Sequence, residues 1–181
     1  MSAVAEEVKQ PIKLDVGCGK AKKEGFIGID SRDFEGVDHV LDVGSRALPY
    51  EDGTVSEIHT SHFVEHLNAS ERIHFINEAY RVLENGGKLT VITPHWSSCR
   101  AYGDLTHQWP PVSEFWFYYL DKNWRAANAP HNDAYTCDFA ATWGYSMHHT
   151  LHGRNQEFQQ FAFQHFKEAA QDVHATLVAR K

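Results

Sequence analysis

KLDVGCGKAKKEGFIGID, residues 13–30, decides the reading of this chain. Residues 12–16 are a short, largely apolar run closed by glycine, the pattern of a central parallel strand with Asp15 near its carboxyl end. Gly17-Cys18-Gly19 follows; glycine there permits positive φ and lets another group approach the backbone closely. Residues 25–30, GFIGID, read as a second strand ending in Asp30. Lys20 to Glu24, scarcely more than one helical turn, separate the two. The turn is not GxGxxG, because Lys22 stands where the third glycine would be, and no GxxxxGK[ST] occurs. A pyrophosphate binder also needs a helix N-terminus at this point, for which there is no room.

The chain beyond continues in the same manner. Residues 37–43, VDHVLDV, read as a third strand with Asp42 near its end, and residues 57–61 as a fourth. Between them, Pro49-Tyr50-Glu51-Asp52-Gly53 is turn chemistry. The spacing of Asn68 and Glu71 is that of a capping box, and Ile73, Ile76, Tyr80 and Leu83 recur at helical intervals, predicting a helix over 68–84 stopped by Asn85-Gly86-Gly87. Residues 88–93 are a fifth strand closed by Pro94. Strand, helix, strand in series favours a parallel α/β sheet, with ligands at the carboxyl ends of its strands. An acid ending the second strand is placed to accept hydrogen bonds from ribose hydroxyls. Residues 113–124 read as a helix, 125–156 as irregular chain, and 157–168 with 172–180 as a closing antiparallel hairpin. The expected organisation is an N-terminal arm over 1–11 and one domain over 12–181, in which 95–156 is a lid or substrate-binding insertion.

Composition narrows the function. The chain has 181 residues, 42% of them hydrophobic, which suits one domain with a sizeable core. A formal charge of −7 and no Lys/Arg run longer than two residues argue against nucleic acid as partner. No apolar run spans a bilayer, and residues 1–11 have no signal-peptide pattern. The three cysteines, Cys18, Cys99 and Cys137, are widely spaced, which fits a reducing, cytoplasmic setting rather than a disulfide framework or zinc knuckle.

LDVGCG, FIGID, DHVLDV, EIHTSHFVEHL and AYRVLENGGKLTVITP, taken in series, resemble the class I S-adenosylmethionine-dependent methyltransferases, in particular their small type 11-like group. The resemblance covers residues 12–94 and resumes weakly at the C-terminal strands. It implies a Rossmann-like, mostly parallel open sheet with a C-terminal antiparallel hairpin, S-adenosylmethionine as cofactor and S-adenosylhomocysteine as product. It assigns the glycine turn, Asp15, Gly17, Cys18 and Gly19, to the methionine and ribose part of the cofactor, Asp30 to the ribose hydroxyls, Asp42 and Val43 to adenine, and Ser61 and His62 to the methionine moiety. The turns after the first two strands are short for parallel crossovers. One face of the sheet at that edge is therefore expected to need cover, from the 95–156 insertion or from a second copy of the chain in a homodimer. The SSCRAYGDLTH stretch also resembles that group, without implying a role.

For the acceptor side, His107 with Asp104 three residues before it, and His95 after the fifth strand, are the candidate catalytic residues. A histidine with a pKa near 7 suits removal of a hydroxyl proton and an aspartate can orient it, although the same pair can simply pin a loop. Glu65-His66 reads equally as first-turn charge or as ligand contact. Trp96, Tyr102, Trp109, Trp116, Tyr118 and Tyr119 line either a pocket or a lid core. His148 and His152 have i, i+4 spacing, but with glycines on both sides and no HExxH they read as loop histidines, and no metal is assigned. The expected activity is in-line methyl transfer to a small hydroxylated or sugar-like acceptor. Aminopropyl transfer, cofactor cleavage and a non-catalytic binding subunit remain open.

Overall fold

Leu14, Val16, Ile58, Leu89, Val91 and Leu177 have no exposed surface, and they mark one face of a single sheet. The computed structural model describes residues 10–181. Of the expected N-terminal arm, residues 1–9 lie outside this range, and Gln10 and Pro11 are exposed chain leading into β1. The strands are β1 (Ile12–Val16), β2 (Ile27–Asp30), β3 (His39–Val40), β4 (Val55–Ser61), β5 (Leu83–Pro94), β6 (Phe139–Met147) and β7 (Ala170–Ala179). They form a seven-stranded sheet in the order β3-β2-β1-β4-β5-β7-β6. The first five are parallel, and β7 runs antiparallel to both β5 and β6.

The helix α1 (Ala69–Val82) forms where the capping box predicts it. The Asn68 side chain accepts from the Ser70 and Glu71 N–H groups, and Glu71 accepts from the Asn68 N–H. Its Phe75, Ile76, Ala79 and Val82 are fully buried in the cluster that holds Leu14, Ile58, Leu89 and Val91. Large side chains buried this way contribute about 1.5–3 kcal/mol each. The helix ends earlier than expected. Leu83 turns extended at ψ 139° and pairs with Val55, so Asn85-Gly86-Gly87 lies within β5 rather than stopping a helix.

Three other expectations are corrected. Residues 157–168 are not a strand. Of these, residues 157–165 belong to α5 (Gln156–His165), capped by Asn155, whose side chain accepts from the Phe158 N–H. The partner of β7 is β6, inside the stretch expected to be irregular; Phe139, Ala141, Trp143 and Tyr145 face the core with period two. The aromatic stretch at 113–124 is two short helices, α3 (Phe115–Tyr118) and α4 (Lys122–Asn128), because Asp121 interrupts it and caps α4 through the Trp124 N–H. A further short helix, α2 (Arg100–Gly103), follows β5; α5 is numbered as the fifth helix in chain order.

The connections between β1 and β2 and between β2 and β3 contain no helix. The sheet face opposite α1 therefore receives no helix from either crossover. Of the 95–156 insertion, Val112, Phe117 and Leu120 are buried in the same cluster as α1. Among the described residues no helix is long and apolar enough to cross a membrane.

The loop before β4 is fastened to α1 by Arg81. Its guanidinium donates to the Leu48 and Tyr50 carbonyls at 3.0 and 2.9 Å, to Asp52 at 2.7 Å, and to both Glu78 oxygens at 2.9 and 2.8 Å. Arg81→Ala should lower the unfolding free energy by about 2 kcal/mol in a denaturant titration. The Arg81 hydrogen bonds hold Glu78 below its ordinary value of 4.5. Its contribution is therefore complete above pH 4.5 and lost as pH falls through the lowered folded value. The gap in stability between wild type and variant should narrow below that pH, and an equal gap at all pH values would contradict the assignment.

Candidate active site

The carboxyl ends of β1, β2 and β4 meet at the glycine turn. Gly17 and Gly19 have φ of +71° and +53°, and a Cβ on Gly17 would fall 2.4 Å from the Phe63 ring. Glycine is required there twice, by conformation and by close approach. Phe63 is held in turn edge-on to Phe75 of α1, ring centroids 5.5 Å apart. Asp15 ties off the turn by accepting from the Lys23 N–H at 2.7 Å. Asp30 accepts from the Gly19 N–H at 2.9 Å and the Arg32 N–H at 3.0 Å, so its carboxylate is fixed at the end of β2 with lone pairs to spare. Asp42 closes its own turn, accepting from the Gly44 N–H at 3.1 Å and the Ser45 hydroxyl at 2.7 Å.

These elements enclose a cleft of about 760 Å³, within the range of small-ligand sites. Gly17, Asp30, Asp42, Val43 and His62 of the expected cofactor residues line it. Asp15, Cys18 and Ser61 line instead a neighbouring cavity of about 250 Å³ that shares Gly17. The acceptor-side candidates divide as well. Asp104 and Thr106 line the large cleft. His107 stands behind them, its ring 4.7 Å from that of His66. His95 is not with them: it is 3% exposed, with Nδ1 2.8 Å from the Ser97 hydroxyl and Nε2 3.0 Å from Glu114. That contact holds the Glu114 carboxyl below its usual value. Among the aromatic candidates, Trp116 packs on the core and donates to the Tyr135 hydroxyl, whereas Trp96, Tyr102 and Trp109 are exposed.

The residues on which sequence reading did not settle are Glu65 and His66. They sit in a single 3-10 turn, Val64–His66, directly after β4. The preceding His62 has φ +52°, a conformation uncommon for any residue but glycine. Its Nδ1 lies 3.2 Å from the buried Glu65 carboxylate, which holds the imidazole above its ordinary pKa. Arg72 of α1 places this turn. Its buried guanidinium donates to the carbonyls of Val64, Glu65, Gln108 and Pro110, and the Gln108 N–H donates to the Glu65 carbonyl at 2.8 Å. The turn after β4 and the 104–110 loop are thereby clamped together. The legible signal was the His-x-x-Glu-His spacing after a strand; the missing one was the distant arginine.

Residues 23–91 match the sequence family described as a methyltransferase domain. No curated protein matches the chain in sequence. Solved structures of similar fold include an S-adenosylmethionine-dependent methyltransferase from Archaeoglobus fulgidus, 18% identical with a TM-score of 0.65 over 93% of this chain and 86% of that one. The plantazolicin methyltransferase BpumL, solved with a desmethyl analogue and SAH, is 14% identical with a TM-score of 0.53 over 96% and 78%. The geranyl diphosphate C-methyltransferase from Streptomyces coelicolor A3(2), solved with Mg2+, a thiolodiphosphate and S-adenosyl-L-homocysteine, is 14% identical with a TM-score of 0.52 over 93% and 69%.

The two glycines of the turn should respond differently to a methyl group. Gly17→Ala meets both the φ penalty and the Phe63 ring and should cost about 3 kcal/mol or more of stability. Gly19→Ala has nothing within 4 Å and should cost only the conformational part, about 1–2 kcal/mol. Equal losses in denaturant titrations would show that Phe63 yields freely.

Proposed function

We propose that this chain is a class I S-adenosylmethionine-dependent methyltransferase and that it transfers the methyl group to an oxygen of a small hydroxylated or sugar-like acceptor. The observation that carries this reading is the single cleft in which Gly17, Asp30 and Val43 share walls with His62, His66, Asp104 and Thr106. The first group is a nucleoside cradle and the second is a polar acceptor end. The geometry fits the cofactor: the turn glycines leave the backbone bare, and nothing within 4 Å would meet even a Cβ at Gly19. When bound, S-adenosylmethionine supplies a methyl carbon made electrophilic by its sulfonium.

The chain's own residues bind and orient. Asp30, held by two backbone N–H groups, offers its remaining lone pairs to the ribose diol. Leu41 and Val43 give the cleft an apolar wall suited to the adenine. His62 stands at the end of β4, beside the place where the methionine moiety belongs. Gly19, the Asp15-closed turn and Cys18 shape the backbone on which that moiety lies. Asp104 and Thr106 present hydrogen-bonding oxygens to an acceptor hydroxyl, and alignment of that oxygen with the methyl carbon at about 3 Å supplies much of the rate. His107, behind them, is placed to take the hydroxyl proton through one water or one side chain. The buried, doubly bonded setting of His95 supports a positioning role for it, on Glu114 and Ser97, rather than contact with the acceptor.

Two measurements test this. Asp30→Ala should weaken S-adenosylhomocysteine binding by about 1.5–3 kcal/mol in calorimetry, the loss of a charge-assisted hydrogen bond; unchanged affinity would remove the ribose assignment. Turnover with a panel of hydroxylated acceptors should release S-adenosylhomocysteine. Release of methylthioadenosine instead would assign the chain to aminopropyl transfer or cofactor cleavage, and no cofactor binding at all would make it a non-catalytic subunit.

A further inference from the structure

We infer that Glu65, His66 and His107 form a binding site for one first-row divalent transition-metal ion at the acceptor end of the cleft. One ligand-type atom from each lies within 4.8 Å of the others, the one such group of three among the described residues. The two imidazole rings are 4.7 Å apart between centroids and nearly perpendicular, at 77°.

Hydrogen bonding decides which ring nitrogens carry protons. A carbonyl oxygen only accepts, so His107 Nδ1, 3.2 Å from the Ala101 carbonyl, carries that ring's proton. Thr106 Oγ1 donates its single proton to Asp104 Oδ1 at 2.7 Å. It must therefore accept from His66 Nδ1 at 3.0 Å. In both neutral rings the lone pair is left on Nε2. The third member, Glu65, is 4% exposed, and its Oε2 accepts from Thr93 Oγ1 at 3.0 Å. Two imidazole lone pairs and a buried carboxylate thus stand together, and each ring's remaining nitrogen donates to an oxygen. That outer arrangement fixes the tautomer of metal-ligating histidines and raises their basicity.

Two histidines and one carboxylate form a ligand set for zinc, iron or manganese that leaves coordination positions open. An ion with ligands at about 2.0–2.1 Å separates them by roughly 3.4 Å, so binding draws the trio in by up to about 1.4 Å. The movement is small because Arg72 already clamps the His66 turn to the loop that follows His107. The role of the ion rests on the methyl-transfer reading: His66 lines the cleft, so an acceptor hydroxyl taken into an open position would be acidified and held there, and the ion would replace His107, then a ligand, in easing loss of the hydroxyl proton. Its existence does not rest on that reading.

The test uses the full chain stripped with a chelator, then titrated with Co2+ alone and with Zn2+ alone. One equivalent of Co2+ should bind with visible absorption bands and be displaced by Zn2+. His66→Gln and His107→Gln should each weaken binding by at least about 100-fold. In wild type, one equivalent of Zn2+ should shift the imidazole NMR signals of His66 and His107 before those of the other histidines, a readout that needs no variant. Absence of stoichiometric binding, wild-type affinity in both variants, or unshifted His66 and His107 signals would overturn the site. S-adenosylhomocysteine affinity is measured on the same samples. Cofactor binding without metal uptake overturns the metal site alone, and metal uptake without cofactor binding overturns the cofactor reading alone.

Discussion

The close approach of Phe63 to Gly17 is the constraint on which the site depends. A side chain at Gly17 would have to occupy the Phe63 ring, with a Cβ 2.4 Å away. That contact brings the turn after β4 against the turn after β1. Phe63 is braced by Phe75 in the core, so the position of the turn is set by α1 and not by the loop itself. From that contact follow the left-handed His62, the buried Glu65, and the cleft between Asp30 on one side and Asp104 on the other.

Around this contact the sheet is wound on one face more than on the other. Parallel strands ordinarily need a helical crossover of a dozen or more residues. Here β1 joins β2, and β2 joins β3, through turns alone. The turn after β1 is held by side chain to backbone hydrogen bonds, Asp15 to Lys23 and Asp30 to Gly19, in place of helix packing. The edge of β2 is tied similarly, Asp38 accepting from the Gly28 N–H and pairing with Lys22. Without a helix in the first crossover, the cleft is built by the turn, the β4 end and the insertion. Arg72 matters for the same reason: four backbone carbonyls from two separate segments converge on one guanidinium.

The sequence was legible where a local rule had one solution. Asn68 and Glu71 announce a helix start, because reciprocal capping needs that spacing. The Asp15 to Asp30 stretch announces two parallel strand ends joined by a glycine turn, and Gly17 and Asp30 line the large cleft. It was misleading where two periods coexist. Phe161 and Phe163 alternate like a strand, yet Asn155 caps a helix and Ala162 is the residue it buries. The strand that pairs with β7, residues 139–147, carries Thr142, Gly144 and Ser146 on its open side. Its inward Phe139, Ala141, Trp143 and Tyr145 vary in size, so its alternation is weak.

The sequence by itself determined the fold class and the glycine turn, because strand ends, caps and positive-φ glycines are dictated within a few residues of chain. The tertiary structure decided which of the thirteen histidines stand together. His95 is removed to a buried contact with Glu114, while His66 and His107 meet. They lie 41 positions apart in the sequence, and the Thr106 and His66 that hydrogen-bond between them lie 40 apart. No periodicity can express such a distance. It is set by a buried arginine on α1, whose partners are backbone carbonyls and so leave no trace in residue type.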